Sequence, residues 1–157
     1  MLSFDHLPEY EQQTRRNLMQ AGLNLHARVV LAPLIPWRDD TGCEFSYYAC
    51  DDALAQLKNE LNGITPKILV LVDGPPASTG SQARYPAMPK VLQHFSNGSQ
   101  LHFLMDDYIR SDEQQIVHAW EAELSKQAKP FRRTVFDRLE KKACILEIPS
   151  ANTEQQA

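Results

Sequence analysis

Apolar and polar positions alternate between two rhythms along this chain. An unbroken apolar run, Ile68-Leu69-Val70-Leu71-Val72, follows Lys67 and stops at Asp73-Gly74-Pro75-Pro76. A run of that length closed by turn residues predicts a buried parallel strand with an acid at its carboxyl end. Leu101-His102-Phe103-Leu104-Met105 repeats the arrangement and ends in Asp106-Asp107. Shorter strands are predicted at Leu2-Ser3-Phe4, ending in Asp5, and at Ala27 to Leu31, ending in Ala32-Pro33. Between them the period changes to that of a helix. Pro8, Glu9 and Glu11 suit the start of a helix that stops at Gly22. Asp51 or Asp52 can cap a second, with Leu54, Leu57 and Leu61 on one face and Asn62-Gly63 as its end. Pro86 opens a third through Met88, Val91, Leu92 and Phe95, closed by Asn97-Gly98, and Ser111 can cap a fourth through Ile116, Val117, Trp120 and Leu124. Arg133 to Phe136 and Ala143 to Ile148 read as an antiparallel hairpin around a turn from Asp137 to Lys142. Two stretches read as loops. Ile35 to Tyr48 carries packed aromatics, and Gly74 to Tyr85 is long enough to be a lid or a binding loop.

Strands alternating with helices, then a hairpin, define an α/β plan with a mostly parallel sheet. Its 157 residues suffice for one domain, assigned to 1-149, followed by a flexible polar tail at 150-157. The formal charge is −4, and without a basic stripe nucleic acid is disfavoured as a partner. No apolar segment approaches the ~20 residues that span a bilayer, and Met1 to His6 lacks the features of a signal peptide, so a cytoplasmic location is expected. Cys43, Cys50 and Cys144 contain no CxxC pair and are expected to be reduced thiols.

The chemistry concentrates at the strand ends. If the two long strands are neighbours, Asp73, Asp106 and Asp107 converge on one edge of the sheet, where ligands bind in open α/β folds. Converging carboxylates repel unless a cation neutralises them, and a hard ion such as Mg²⁺ suits an all-oxygen set. Asp73-Gly74 alone could be an ordinary turn; the second acidic strand end favours a site. His26, His94, His102 and His118 show no ligand spacing, and Lys141-Lys142 reads as a solvated turn.

Taken together, Val72-Asp73-Gly74-Pro75-Pro76, Ala83-Arg84-Tyr85-Pro86-Ala87, Asp106-Asp107 with Arg110, Trp120, and Phe4-Asp5-His6-Leu7-Pro8-Glu9-Tyr10 resemble class I S-adenosylmethionine (SAM)-dependent methyltransferases. Within that Rossmann-like fold the chain is most similar to metal-dependent O-methyltransferases of the macrocin and sugar type. The resemblance implies Mg²⁺ ligands at Asp73, Asp106 and Asp107, with Asp73 also able to take a proton. It further implies a ribose-binding acid at Asp5, and a substrate loop containing Arg84 and Tyr85. The implied reaction is methyl transfer from SAM to a hydroxyl of a small molecule.

One departure shapes the expected architecture. The family's first strand and glycine-rich turn should precede Asp5, where only four residues stand. The sheet is therefore expected without its first strand, leaving its flanking strands either paired directly or with free edges. Such a chain reads as the carboxyl-terminal three quarters of a methyltransferase whose start lies upstream. Two rivals remain: an inactive relative that acts in protein interactions and dimerises through its free edge, and a metal-dependent hydrolase using the same acids. The hydrolase reading lacks a phosphate-binding glycine loop.

Overall fold

The computed structural model describes residues 1–95 and 98–150. Its elements in order are β1 (Leu2–Asp5), α1 (Pro8–Gln20), β2 (Arg28–Leu31), β3 (Leu34–Arg38), β4 (Glu44–Tyr48), α2 (Asp51–Glu60), β5 (Lys67–Val72), α3 (Ala87–Phe95), β6 (Gln100–Met105), α4 (Ser111–Lys126), β7 (Arg132–Phe136) and β8 (Ala143–Ile148). A single 3₁₀ turn, Ala77–Thr79, interrupts the loop after β5. The main sheet has the order β5-β6-β8-β7, with β5 and β6 parallel and the last two strands antiparallel, as the expected carboxyl-terminal hairpin requires.

Side-chain alternation in these strands defines one well-filled face. Ile68, Val70 and Val72 line up with Leu101, Phe103 and Met105, and those in turn with Ile148, Leu146 and Cys144. Against this face pack Met88, Val91, Leu92 and Phe95 of α3 and Ile116, Val117, Trp120 and Leu124 of α4. Trp120 is fully buried, and its indole N–H donates to the Tyr85 carbonyl at 2.8 Å, so its one polar group is satisfied inside the core. Burying large apolar side chains of this kind contributes roughly 1.5–3 kcal/mol each.

The stretch expected as a loop from Ile35 to Tyr48 is instead a β-hairpin, β3 paired antiparallel with β4. Pro36 obscured it, since proline lowers any strand reading, yet a two-stranded ribbon leaves a free edge that tolerates it. Trp37 stands opposite Phe45 with ring centroids 5.7 Å apart, and Asp39 Oδ1 ties the turn by accepting from the Thr41 and Cys43 amides. The expected helix caps also differ. Cys50 precedes α2 without a side-chain cap, while the Asp51 carboxylate binds Lys90 Nζ at 2.6 Å, a buried cation that outcompetes a cap amide. Arg110, not Ser111, precedes α4. Asn97 and tail residues 151–157 lie outside the described residues; Ser150, expected to fray, is buried.

β1 and β2 form a separate parallel pair. Among the described residues β1 pairs only with β2 and β5 only with β6, so the free edges of β1 and β5 face each other across a slot. Of the two outcomes expected for a sheet without its first strand, free edges rather than direct pairing is the one found.

Candidate functional site

Parallel pairing places Val72 opposite Met105, so the residues that follow leave the sheet at the same edge. The Asp106 amide donates to the Val72 carbonyl at 3.2 Å, extending the ladder by one step. Asp107 then adopts a left-handed conformation, φ 52°, which aspartate tolerates better than most residues. The consequence is convergence: one carboxylate oxygen from each of Asp73, Asp106 and Asp107 lies within 4.8 Å of the others. Their surroundings differ. The Asp73 side chain is 63% exposed and that of Asp107 only 7%.

Arg84 lies beneath these acids. It belongs to the loop expected to cover an acceptor, yet its side chain is only 5% exposed. Its guanidinium reaches Asp73 at 3.4 Å, Asp107 at 3.7 Å and Glu113 at 3.3 Å, and donates to the Asp106 carbonyl at 3.3 Å. Asp107 also meets Arg110 at 2.8 Å and Lys141 at 3.4 Å, so Lys141, solvent-exposed in its turn as expected, also lends the site a positive charge. Two buried polar atoms in this cluster, Arg84 Nε and Glu113 Oε2, have no hydrogen-bond partner. Glu113 was not anticipated as a site residue. Its position in the first turn of α4 suggested a charge serving the helix dipole, and nothing in its spacing tied it to Arg84.

Across the slot, Asp5 ends β1 and its Oδ1 accepts the Leu7 amide at 3.0 Å, which sets the turn into α1. Between Asp5 and Asp73 stands Tyr48, at the end of β4. Burial, reinforced by the charges of Asp5 and Asp73 and opposed by Arg84, pushes its phenol up to about 12, so it is a neutral hydroxyl at physiological pH. The Tyr48 hydroxyl occupies the space that a Cβ on Gly74 would need, which explains glycine at that turn. Tyr85 is half-buried and stacks on Phe45 with centroids 5.0 Å apart, so the β3–β4 hairpin packs against the loop carrying Arg84.

The oxygen set of Asp73, Asp106 and Asp107 fits a hard divalent cation by ligand type and spacing. Arg84 already supplies positive charge there, so an added ion would share or displace its contacts. For SAM the fit is one-sided. Asp5 stands at one strand end, but the described residues hold no glycine-rich turn between Asp5 and Asp73 to present backbone amides.

No protein-family model matches the chain, and no curated protein matches it. Two solved structures resemble it. One is a proposed rRNA methylase from Clostridium thermocellum, with a TM-score of 0.55 at 10% identity, covering 96% of this chain and 72% of that one. The other is a proposed methyltransferase from Streptococcus mutans, crystallised with S-adenosylhomocysteine, with a TM-score of 0.51 at 14% identity, covering 94% of this chain and 74% of that one. At such identities the likeness concerns the fold: the described residues have the mixed α/β, Rossmann-like architecture of these two proteins, in a sheet interrupted between β1 and β5.

Proposed function

We propose that the chain is the acceptor-side part of a SAM-dependent methyltransferase that modifies a hydroxyl of a small molecule. The observation that supports this most is the convergence of Asp73, Asp106 and Asp107 at two parallel strand ends, on a fold shared with a protein that was crystallised with S-adenosylhomocysteine. In this reading the three acids hold Mg²⁺, and Asp5 grips the ribose hydroxyls of the cofactor. When bound, the ion would lower the pKa of the acceptor's hydroxyl, and SAM would supply the methyl group and leave as S-adenosylhomocysteine. Asp73, more exposed than Asp107, would take the hydroxyl proton, while Arg84, Arg110 and Lys141 hold Asp107 in place. Tyr48, neutral between Asp5 and Asp73, offers an acceptor a hydrogen-bond donor.

Charge favours a small molecule over RNA. The net charge is −4, and Arg132, Arg133, Lys141 and Lys142 are each already paired with a carboxylate. The free thiols of Cys43, Cys50 and Cys144 suit a reducing, cytoplasmic setting. Calorimetry with SAM, in the presence and absence of MgCl₂, tests the assignment: Mg²⁺-dependent binding is expected, and its absence ends the proposal.

The free edges of β1 and β5 favour a second reading, a non-catalytic module that self-associates through them. Light scattering after size exclusion separates the two, because a monomer at micromolar concentration contradicts self-association.

A further inference from the structure

A second cleft lies apart from the strand-end acids, where the β3–β4 hairpin meets α3 and the end of α4, and it holds about 340 Å³. That is the lower end of the range for small-molecule sites, roughly 300–1,000 Å³. Met88 and Leu92, both buried, give it an apolar floor, and Trp37 and Tyr85 line it as half-buried rings. Their centroids stand 6.2 Å apart with the planes tilted by 51°, so the two faces form an open corner rather than a closed stack. Phe45 packs on both rings, 5.7 Å from Trp37 and 5.0 Å from Tyr85, and holds the corner in shape. Arg84 and Tyr85 are chain neighbours that serve different places: the guanidinium goes to the acids and the phenol ring to the hairpin.

Charge around the corner is of two kinds, fixed and mobile. The fixed charge is negative. Asp39 Oδ1 accepts from the Thr41 and Cys43 amides, both at 2.9 Å, and Glu123 Oε1 accepts from Gln127 Nε2 at 2.7 Å, so both carboxylates are held at the cleft, with exposed Asp40 beside them. Burial pushes the Tyr85 phenol up, and Asp39, Glu123 and Asp40 push it further, as negative groups facing that ring must. The mobile charge is positive. Arg38 is already bound to Glu44 at 2.8 Å, which cancels it. Lys126 and Lys129 lie at or just past the end of α4, where they complement the helix dipole, and neither has a carboxylate partner among the described residues. Their flexible stems let the ammonium groups stay in water.

This combination selects among ligands. A bare metal ion does not suit it, because among the described residues only Asp73, Asp106 and Asp107 bring three carboxylates within ligand distance of one another. An anion would meet Asp39, Asp40 and Glu123, and a neutral ring would leave those charges unanswered. An organic cation with an apolar surface answers both features. Its charge is attracted to ring faces within about 6 Å and to the carboxylates, while its methyl or methylene groups cover the rings and the Met88–Leu92 floor.

We propose that the cleft between the β3–β4 hairpin and the α3–α4 pair binds a small organic cation, an alkylated ammonium, with its methyl groups in the Trp37–Tyr85 corner and its charge facing Asp40 and Glu123. The site is independent of the methyltransferase reading and needs neither SAM nor Mg²⁺. The test is an NMR titration of the full chain with choline chloride. The Trp37 indole N–H and the amides of Asp39, Asp40 and Glu123 are expected to move together and to saturate with a Kd of about millimolar, as a small ligand on an open corner allows. The amides of Leu101 and Phe103, in the buried part of β6, are expected to stay in place, and in every variant they report an intact fold. Choline's neutral isostere, with tert-butyl in place of trimethylammonium, is expected to bind about tenfold more weakly. Trp37→Leu, followed at the three amides, and Asp40→Asn combined with Glu123→Gln are each expected to weaken choline by about fivefold. Shifts that fail to saturate by ~100 mM would overturn the proposal. Equal binding of the neutral isostere, or unchanged binding by the carboxylate double variant, would do the same. Benzoate binding more tightly than choline at these signals would show an anion site, and the proposal would fall.

Discussion

Replacing Arg84 by glutamine removes the one buried guanidinium that touches Asp73, Asp107 and Glu113 together. Taking one partner from a buried ion pair costs about 3–5 kcal/mol, because the other charge stays buried without compensation. The partners do not share that cost equally. Asp73 is mostly exposed and solvent screens it, so its share is small. Asp107 keeps Arg110 and Lys141. Glu113 is left with Arg110 at 3.7 Å, and one of its oxygens already lacks a hydrogen bond. The loss therefore falls at the low end, about 3 kcal/mol, most of it through Glu113. In urea, at a slope of about 2 kcal/mol per molar, that moves the midpoint down by about 1.5 M. Glu113→Gln in the Arg84→Gln background should recover part of the loss, with a coupling of about 1–3 kcal/mol in the double-mutant cycle. Mg²⁺ or Ca²⁺ should also stabilise Arg84→Gln more than the parent, since the three strand-end acids have lost their resident cation. A loss below about 1 kcal/mol, or strictly additive mutations, refutes the assignment of Arg84 as internal counter-ion. Equal ion responses refute its competition with a metal.

Three further outcomes follow from the site and its surroundings. Gly74→Ala should cost about 1–3 kcal/mol by forcing a Cβ into the Tyr48 hydroxyl, and Tyr48→Phe in the same chain should restore most of it; no recovery in urea melts would locate the strain elsewhere. Native protein at pH 8 should show one fast thiol with Ellman's reagent, Cys43, because burial pushes Cys50 and Cys144 each up to about 11, and all three should react in urea. Two fast native thiols would contradict the packing around α2 and β8. Alkaline stability supplies the third. The folded state holds the Tyr48 proton to about 12, above the usual value near 10 for an unfolded tyrosine, so between those values the folded state binds more protons. Its contribution is fully present below pH ~10 and is lost as pH rises toward 12, and Tyr48→Phe should flatten that part of a stability-against-pH curve. An unchanged slope would mean that the phenol is not shielded.

Periodicity made the strand ends legible, and Asp73 and Asp106 followed from them, because a parallel pair in register must deliver its next residues to one edge. Arg84 was not legible as a buried cation. It sits among prolines, serines and glycine, a composition that predicts solvent, and its burial depends on Glu113 arriving from a helix that begins 27 residues later, at Ser111. The β3–β4 hairpin was hidden for a related reason: Pro36 speaks against a strand locally, and only the pairing of Trp37 with Phe45 across the turn outweighs it. Charge offered a signal in both directions. Asp73, Asp106, Asp107, Asp112 and Glu113 crowd one edge while Arg84 is the only basic residue between Lys67 and Lys90, so some cation had to come inward or be recruited. The slot obeys the same logic in backbone terms. Leu2, Phe4, Leu69 and Leu71 turn amides and carbonyls that no strand pairs, among the described residues, toward the slot, and a sheet edge demands partners for such groups as a carboxylate cluster demands a cation. The acids meet part of their demand within the chain, through Arg84, Arg110 and Lys141, whereas among the described residues the outer edges of β1 and β5 have no strand partner.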